Sequence, residues 1–171
     1  MKNNSTHLIS NSFLLFTAFL LISSCYSLKG ISIPSDVNTF YVEDFNTSAR
    51  NAPSDINQVF SEALRQKVRN ESRLQYSEID PDIIFSGTIA SFRVNSVAPT
   101  EGNTTALNRL EIKVKVVYEN VKNEEDTWDS NFSFFNDFDS TQDLLSIQDE
   151  LIDNIFVQLT EDVFNKAFTN W

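Results

Sequence analysis

The chain has 171 residues, a net charge of −11 and a mean hydropathy of −0.24, with one histidine, one cysteine and one methionine. His7 and Cys25 both lie near the start, so everything after Cys25 lacks an imidazole, a thiol nucleophile and any partner for an intramolecular disulfide. Most enzyme chemistries are thereby excluded, thiolate metal sites included, and only carboxylate chemistry is left. Nucleic-acid binding is excluded too, because residues 124–171 hold 12 acids against the single base Lys166 and would repel phosphate.

In chain order, a polar start with Lys2 and His7 leads into the apolar run Phe13 to Ile22, which Ser23, Ser24 and Cys25 close. A charged head, a short apolar middle and small residues at the break describe a secretory signal. This ten-residue run, Thr17 included, is half of the roughly 20 residues that a bilayer span requires. The sequence Ile22-Ser23-Ser24-Cys25 resembles a bacterial lipoprotein box. That resemblance implies removal of residues 1–24 and lipidation of Cys25. By resemblance to lipoprotein sorting rules, Tyr26, standing where an inner-membrane retention signal places Asp, implies the outer membrane, with the domain facing the periplasm. An acidic domain is repelled by anionic lipid, so acyl chains must supply the anchoring, and two or more suffice. Residues 25–36, interrupted by Gly30 and Pro34, are expected to be a lipidated tether, and residues 37–171 a single domain.

Val37 to Phe45 is rich in β-branched and aromatic residues and predicts a first strand, followed by a polar loop from Asn46 to Pro53. Ser54 is expected to cap a helix running to about Ser72. Its apolar stripe is Ile56, Val59, Phe60, Ala63, Leu64 and Val68, with Glu62, Arg65, Lys67 and Arg69 opposite. A connector from Leu74 ends in the turn Asp80-Pro81-Asp82. Ile83 to Val97 predicts a long strand, in which Gly87 marks a bulge or a close backbone approach. After a connection through Pro99 to Asn103 comes the clearest strand of the chain. Leu110, Ile112, Val114, Val116 and Tyr118 face one way and Arg109, Glu111, Lys113, Lys115 and Glu119 the other.

Val121 to Asp126 is an acidic turn. Trp128 to Phe138 is the last strand, with Trp128, Phe132, Phe134 and Phe138 on one side and Phe135 alone on the other. Ser140 or Thr141 is expected to cap a final helix striped by Leu144, Ile147, Leu151, Ile152, Ile155, Phe156, Leu159, Val163, Phe164, Ala167 and Phe168, with Trp171 at its tip. The order β-α-β-β-β-α with two one-sided helices predicts an α+β two-layer sandwich. Both helices pack on one face of a four-stranded mixed sheet, whose first strand pairs in parallel while the other three form a meander.

With this order in place, the chain resembles the LptE family of lipoproteins in lipopolysaccharide assembly. The resemblance rests on Cys25-Tyr-Ser-Leu-Lys-Gly30, Phe40-Tyr-Val-Glu-Asp-Phe-Asn46, Phe60-Ser-Glu-Ala-Leu64, Asp82-Ile-Ile-Phe-Ser-Gly-Thr-Ile89, Arg109-Leu-Glu-Ile-Lys-Val-Lys-Val116 and the helix end from Ile155 to Trp171. It implies a plug and assembly partner of the β-barrel protein LptD, not an enzyme, with no cofactor and no metal. Lipopolysaccharide is a further candidate ligand. Relatives contact it through basic residues near a loop between strands, whereas here the loop Ala98 to Asn108 carries Glu101 and no Lys or Arg. Arg109 and Lys113 are the nearest bases. Candidate partner contacts are therefore Pro99, Thr100, Glu101, Arg109 and Phe135.

Two other function classes compete. Asp137, Asp139 and Asp143 give D-x-D-x-x-x-D, but Gln142 and Gln148 stand where a calcium loop needs Gly and Glu, so a metal-dependent or carboxylate enzyme has weak support. The aromatic cluster Trp128, Phe132, Phe134, Phe135 and Phe138 would suit a binding module for a lipid or peptide. Asn46, Asn70, Asn103 and Asn131 begin N-x-[ST] sequons that are incidental beside a bacterial-type box.

Overall fold

The structure, a computed structural model, describes residues 30–98 and 106–169. Strands β1 (Thr39–Val42), β2 (Asn46–Thr47), β3 (Gln75–Tyr76), β4 (Ile83–Val97), β5 (Leu107–Asn120) and β6 (Trp128–Asp139) form one mixed sheet in the order β3-β1-β4-β5-β6, with β2 paired to β4 off that path. Two helices, α1 (Ile56–Glu71) and α2 (Leu144–Phe168), complete the described elements with a 3₁₀ turn at Glu124–Asp126. As expected, β1 runs parallel to β4, and β4, β5 and β6 are an antiparallel meander.

Both helices lie on one face. Phe60 of α1 meets Phe156 of α2 edge-on at 5.1 Å, Phe45 meets Phe60 at 4.9 Å, and Phe85 of β4 meets Phe168 of α2 at 6.1 Å. Beneath them Leu110, Ile112, Val114 and Val116 of β5 are fully buried. Each such side chain contributes roughly 1.5–3 kcal/mol by leaving water. Lys67 joins the helices on the outside, donating to Glu161 of α2 and, at 2.6 Å, to Glu71. Burial would lower its pKa, but the hydrogen bonds to Glu161 and Glu71 outweigh that and raise it.

Several boundaries differ from the sequence reading. The first strand is only four residues long, and the expected loop and connector each contain a two-residue parallel strand, β2 and β3. The sheet therefore has six strands, not four. Neither helix is capped by the expected side chain. Ser54 precedes the N-cap Asp55, and Ser140 and Thr141 precede the N-cap Asp143; neither cap residue makes a side-chain cap bond. Thr141 instead donates through its amide and hydroxyl to Asp139 Oδ1, at 2.8 and 2.6 Å, so it builds the turn before the helix. Val59 is 37% exposed at the edge of the α1 stripe.

Gly87 marks a close approach. A Cβ there would lie 2.1 Å from the Lys115 carbonyl oxygen and 2.6 Å from Phe45 Cε1. The bulge sits three residues further on, at Ala90, where the register shifts between Ile89 and Ser91. It moves the core-facing positions from odd numbers (Ile83, Phe85, Ile89) to even ones (Phe92), so a 15-residue strand keeps its apolar side under the helices.

Asp82 locks the start of β4 to β1. Its Oδ2 accepts from the amides of Asn38 (2.8 Å) and Thr39 (3.1 Å), its own amide donates to Thr39 Oγ1 (3.0 Å), and Lys122 Nζ lies 3.1 Å from Oδ1. Accepting from Asn38 above all, and from Lys122 and Thr39, it is held at a pKa of about 2. The stretch before β1 is pinned as well. Ser32 N–H donates to Phe168 O at 2.7 Å, and Arg73 Nη2 donates to Pro34 O at 2.6 Å.

Candidate partner-contact face

No described element covers the other face of β4, β5 and β6. Strand alternation puts Arg109, Glu111, Lys113 and Lys115 there because they alternate with the core residues Leu110, Ile112, Val114 and Val116 of β5. Short polar side chains, among them Ser91, Asn95, Asn131 and Ser133, accompany them. This face is cross-linked by charge. Arg109 grips Asp137 of β6 with two parallel hydrogen bonds, Nε to Oδ1 at 2.7 Å and Nη2 to Oδ2 at 2.9 Å. Lys115 pairs with Asp129 at 2.8 Å, and Lys113 with Glu111 at 3.3 Å.

Phe135 is the aromatic on this face, 43% exposed and directly across from Glu111. Its ring lies 3.6 Å from the Arg109 guanidinium carbon, so a single cation both pairs with Asp137 and stacks on the aromatic. The hydrogen bond from Arg109 holds the Asp137 carboxyl below its ordinary pKa and raises that of Arg109 in return. The result is a rigid, charge-balanced patch with one apolar plate.

Of the expected contact residues, Arg109 and Phe135 are thus brought together. Pro99, Thr100 and Glu101 lie outside the described residues, as do Ile22, Ser23, Ser24, Cys25 and Trp171. Asp137 was missed as a partner of Arg109, having been read with Asp139 and Asp143. The hairpin carried the signal: pairing Tyr118 with Trp128 across the acidic turn sets Arg109 against Asp137. The acidic motif is dispersed, since Asp137 pairs with Arg109, Asp139 accepts from Thr141, and Asp143 begins α2. Among the described residues no group of three or more His, Cys, Asp or Glu could hold a metal ion. No described helix is long and apolar enough to cross a membrane.

This arrangement defines a two-layer α+β scaffold with one face of its sheet committed to the core under two helices. The chain belongs to the LptE family of lipopolysaccharide-assembly proteins, whose model matches residues 37–167. No curated protein sequence matches it. Among solved structures, the hypothetical protein CT253 from Chlamydia trachomatis is similar at a TM-score of 0.52 and 9% identity, covering 77% of this chain and 98% of that one. The PelC dodecamer from Paraburkholderia phytofirmans is similar at 0.51 and 10% identity, covering 82% and 96%. At such identities the likeness is one of fold.

Proposed function

We propose that this chain is an outer-membrane lipoprotein, anchored through acyl chains on Cys25, that acts as plug and assembly partner of an LptD-type β-barrel. In this reading residues 1–24 are removed, residues 25–36 are the lipidated tether, whose end at Ser32 and Pro34 is hydrogen-bonded to the domain, and residues 37–171 form the single domain. Membership of the LptE family carries the proposal. The open face supports it, because the lumen of a large outer-membrane barrel is polar and a charge-balanced sheet face with one aromatic plate suits such a wall. The chain is not an enzyme in this reading, needs no cofactor, and works by shape and rigidity. Lipopolysaccharide is not assigned to the Arg109 patch, since that guanidinium is already neutralised by Asp137 on two nitrogens.

Affinity purification of the full chain from membranes is expected to recover a large outer-membrane barrel protein in stoichiometric amount. Mass spectrometry is expected to find Cys25 acylated at the new N-terminus. Recovery of abundant porins alone, at background level, would refute the barrel reading; an intact leader or a bare thiol would refute the anchor. Phe135→Ser is expected to leave the thermal midpoint nearly unchanged while weakening barrel recovery several-fold. If that variant unfolds, Phe135 is a core residue and the open face is misassigned.

A further inference from the structure

The two edges of the sheet are unlike. One is stepped: β3 is two residues long, and β4 beyond Ile89 pairs with no described strand on that side. The other is β6, twelve residues long and, among the described residues, paired on one side only, in an unbroken register with β5 from Leu107↔Asp139 to Tyr118↔Trp128. Natural sheets blunt a long edge with Pro, Lys, a bulge, an inward-pointing charge or a covering segment. β6 has no Pro, Gly, Lys or Arg and no bulge, and every inward-facing position is aromatic, Ser or Asn. Helix α2 packs beneath its inner face. Among the described residues the only other backbone bonds at this strand lie at its C-terminal end, where Gln142 N–H donates to Asp139 O. Among the described residues nothing else pairs with the row of outward amides and carbonyls of β6.

We propose that β6 is a strand-addition site, and that its occupant is an extended segment of another polypeptide carrying basic residues at alternate positions. The charge selects the occupant. Residues 124–143 contain seven acids and no base. Asp129 and Asp137 are neutralised from the β5 side by Lys115 and Arg109, while Glu124, Glu125 and Asp143 make no ion pair among the described residues. A basic side chain on an added strand would continue the ladder from Lys115 through Asp129, and opposite charges across neighbouring strands are favourable. The same count rejects a second copy, since two β6 strands would bring acid against acid in a protein of net charge −11. Backbone pairing would supply affinity and the alternate side chains specificity. The inference stands on the sheet edge alone and does not depend on the partner being a barrel.

The test uses the full mature chain in detergent, with a ten-residue peptide alternating Val and Lys as probe and its Val–Glu counterpart as control. In the free protein the amides of β6 are expected to exchange alternately fast and slow. The Val–Lys peptide should slow the fast set at least tenfold, and the Val–Glu peptide should leave it unchanged. Placing edge lysines with Asn131→Lys and Ser133→Lys should abolish that protection without lowering the melting midpoint. Uniformly slow exchange along free β6, equal protection by both peptides, or protection that maps to the open face instead would each overturn the proposal. Should the lysine variant fail to fold, the comparison of the two peptides on the parent protein decides alone.

Discussion

Neighbouring residues of β5 meet opposite fates. Leu110, Ile112, Val114 and Val116 are sealed under two helices, while Arg109, Glu111, Lys113 and Lys115 stand one position away on a face that no described element covers. The buried side is held by apolar area and shape, which salt does not screen. The open side is held by ion pairs of modest worth in water. Stability is therefore expected to rest on the even-numbered residues, and the proposed recognition on the odd-numbered ones. The largest expected effect tests that division directly. Ile112→Ala should cost about 2–5 kcal/mol in chemical denaturation, because the rigid layer cannot close the cavity. Lys113→Ala, one residue on, should stay within about 0.5 kcal/mol. Equal losses at the two positions would erase the distinction between the faces.

Next in size is Gly87, where the covered face meets the β4–β5 backbone. A methyl group there collides with a main-chain oxygen of Lys115, which cannot swing aside as a side chain could, and with the ring of Phe45. Gly87→Ala should cost about 1–3 kcal/mol or more and loosen the contact with Phe45, although alanine normally favours a strand over glycine. Near-UV circular dichroism and denaturation midpoints check it. A neutral or stabilising result would mean that the strands separate freely at this point.

Asp82 comes third, at the end where β1, β4 and the turn after β5 converge. Its folded pKa of about 2 lies below the ordinary 3.8, so the folded state binds this proton less tightly than the unfolded chain does. The stabilisation is full above about pH 4 and is lost as pH falls from there through about 2; its size at neutral pH is about 2 kcal/mol. Asp82→Asn should remove that much at pH 7 and flatten the acid limb of the stability curve in this window. An acid limb identical in parent and variant would show that the carboxylate is not the lock.

How far the comparison was visible in the sequence depends on the length over which a pattern repeats. The two faces of β5 were legible because the eight residues from Arg109 to Val116 alternate without exception, and the helices because their stripes run for several turns. Two-residue strands such as β2 and β3 carry no period to detect; tertiary pairing with β1 and β4 makes them. The caps were misplaced because Ser54, Ser140 and Thr141 are chemically competent yet sit ahead of the first helical turn. The bulge at Ala90 was written in the switch from Ile89 to Phe92, which simple alternation passes over. Of the contact patch, Phe135 was legible as an aromatic of the wrong parity, and the Arg109–Asp137 pair became so only once the hairpin register was fixed.

The smallest expected effect on stability, and the most informative about recognition, is at Arg109. The pair with Asp137 is exposed and its neighbours are polar, so Arg109→Ala should shift the thermal midpoint by under about 2 °C. The same change removes the plate that clamps the Phe135 ring at 3.6 Å and leaves Asp137 uncompensated. Partner association should therefore fall although folding does not, and Arg109→Lys should rescue it poorly, because an ammonium can neither fork onto a carboxylate nor stack flat on a ring. If lysine restores full association, charge alone matters on this face and the geometry of the clamp is incidental. If the midpoint instead falls by 8 °C or more, the open face is structural after all, and the division of labour between odd and even residues of β5 fails at its most exposed member.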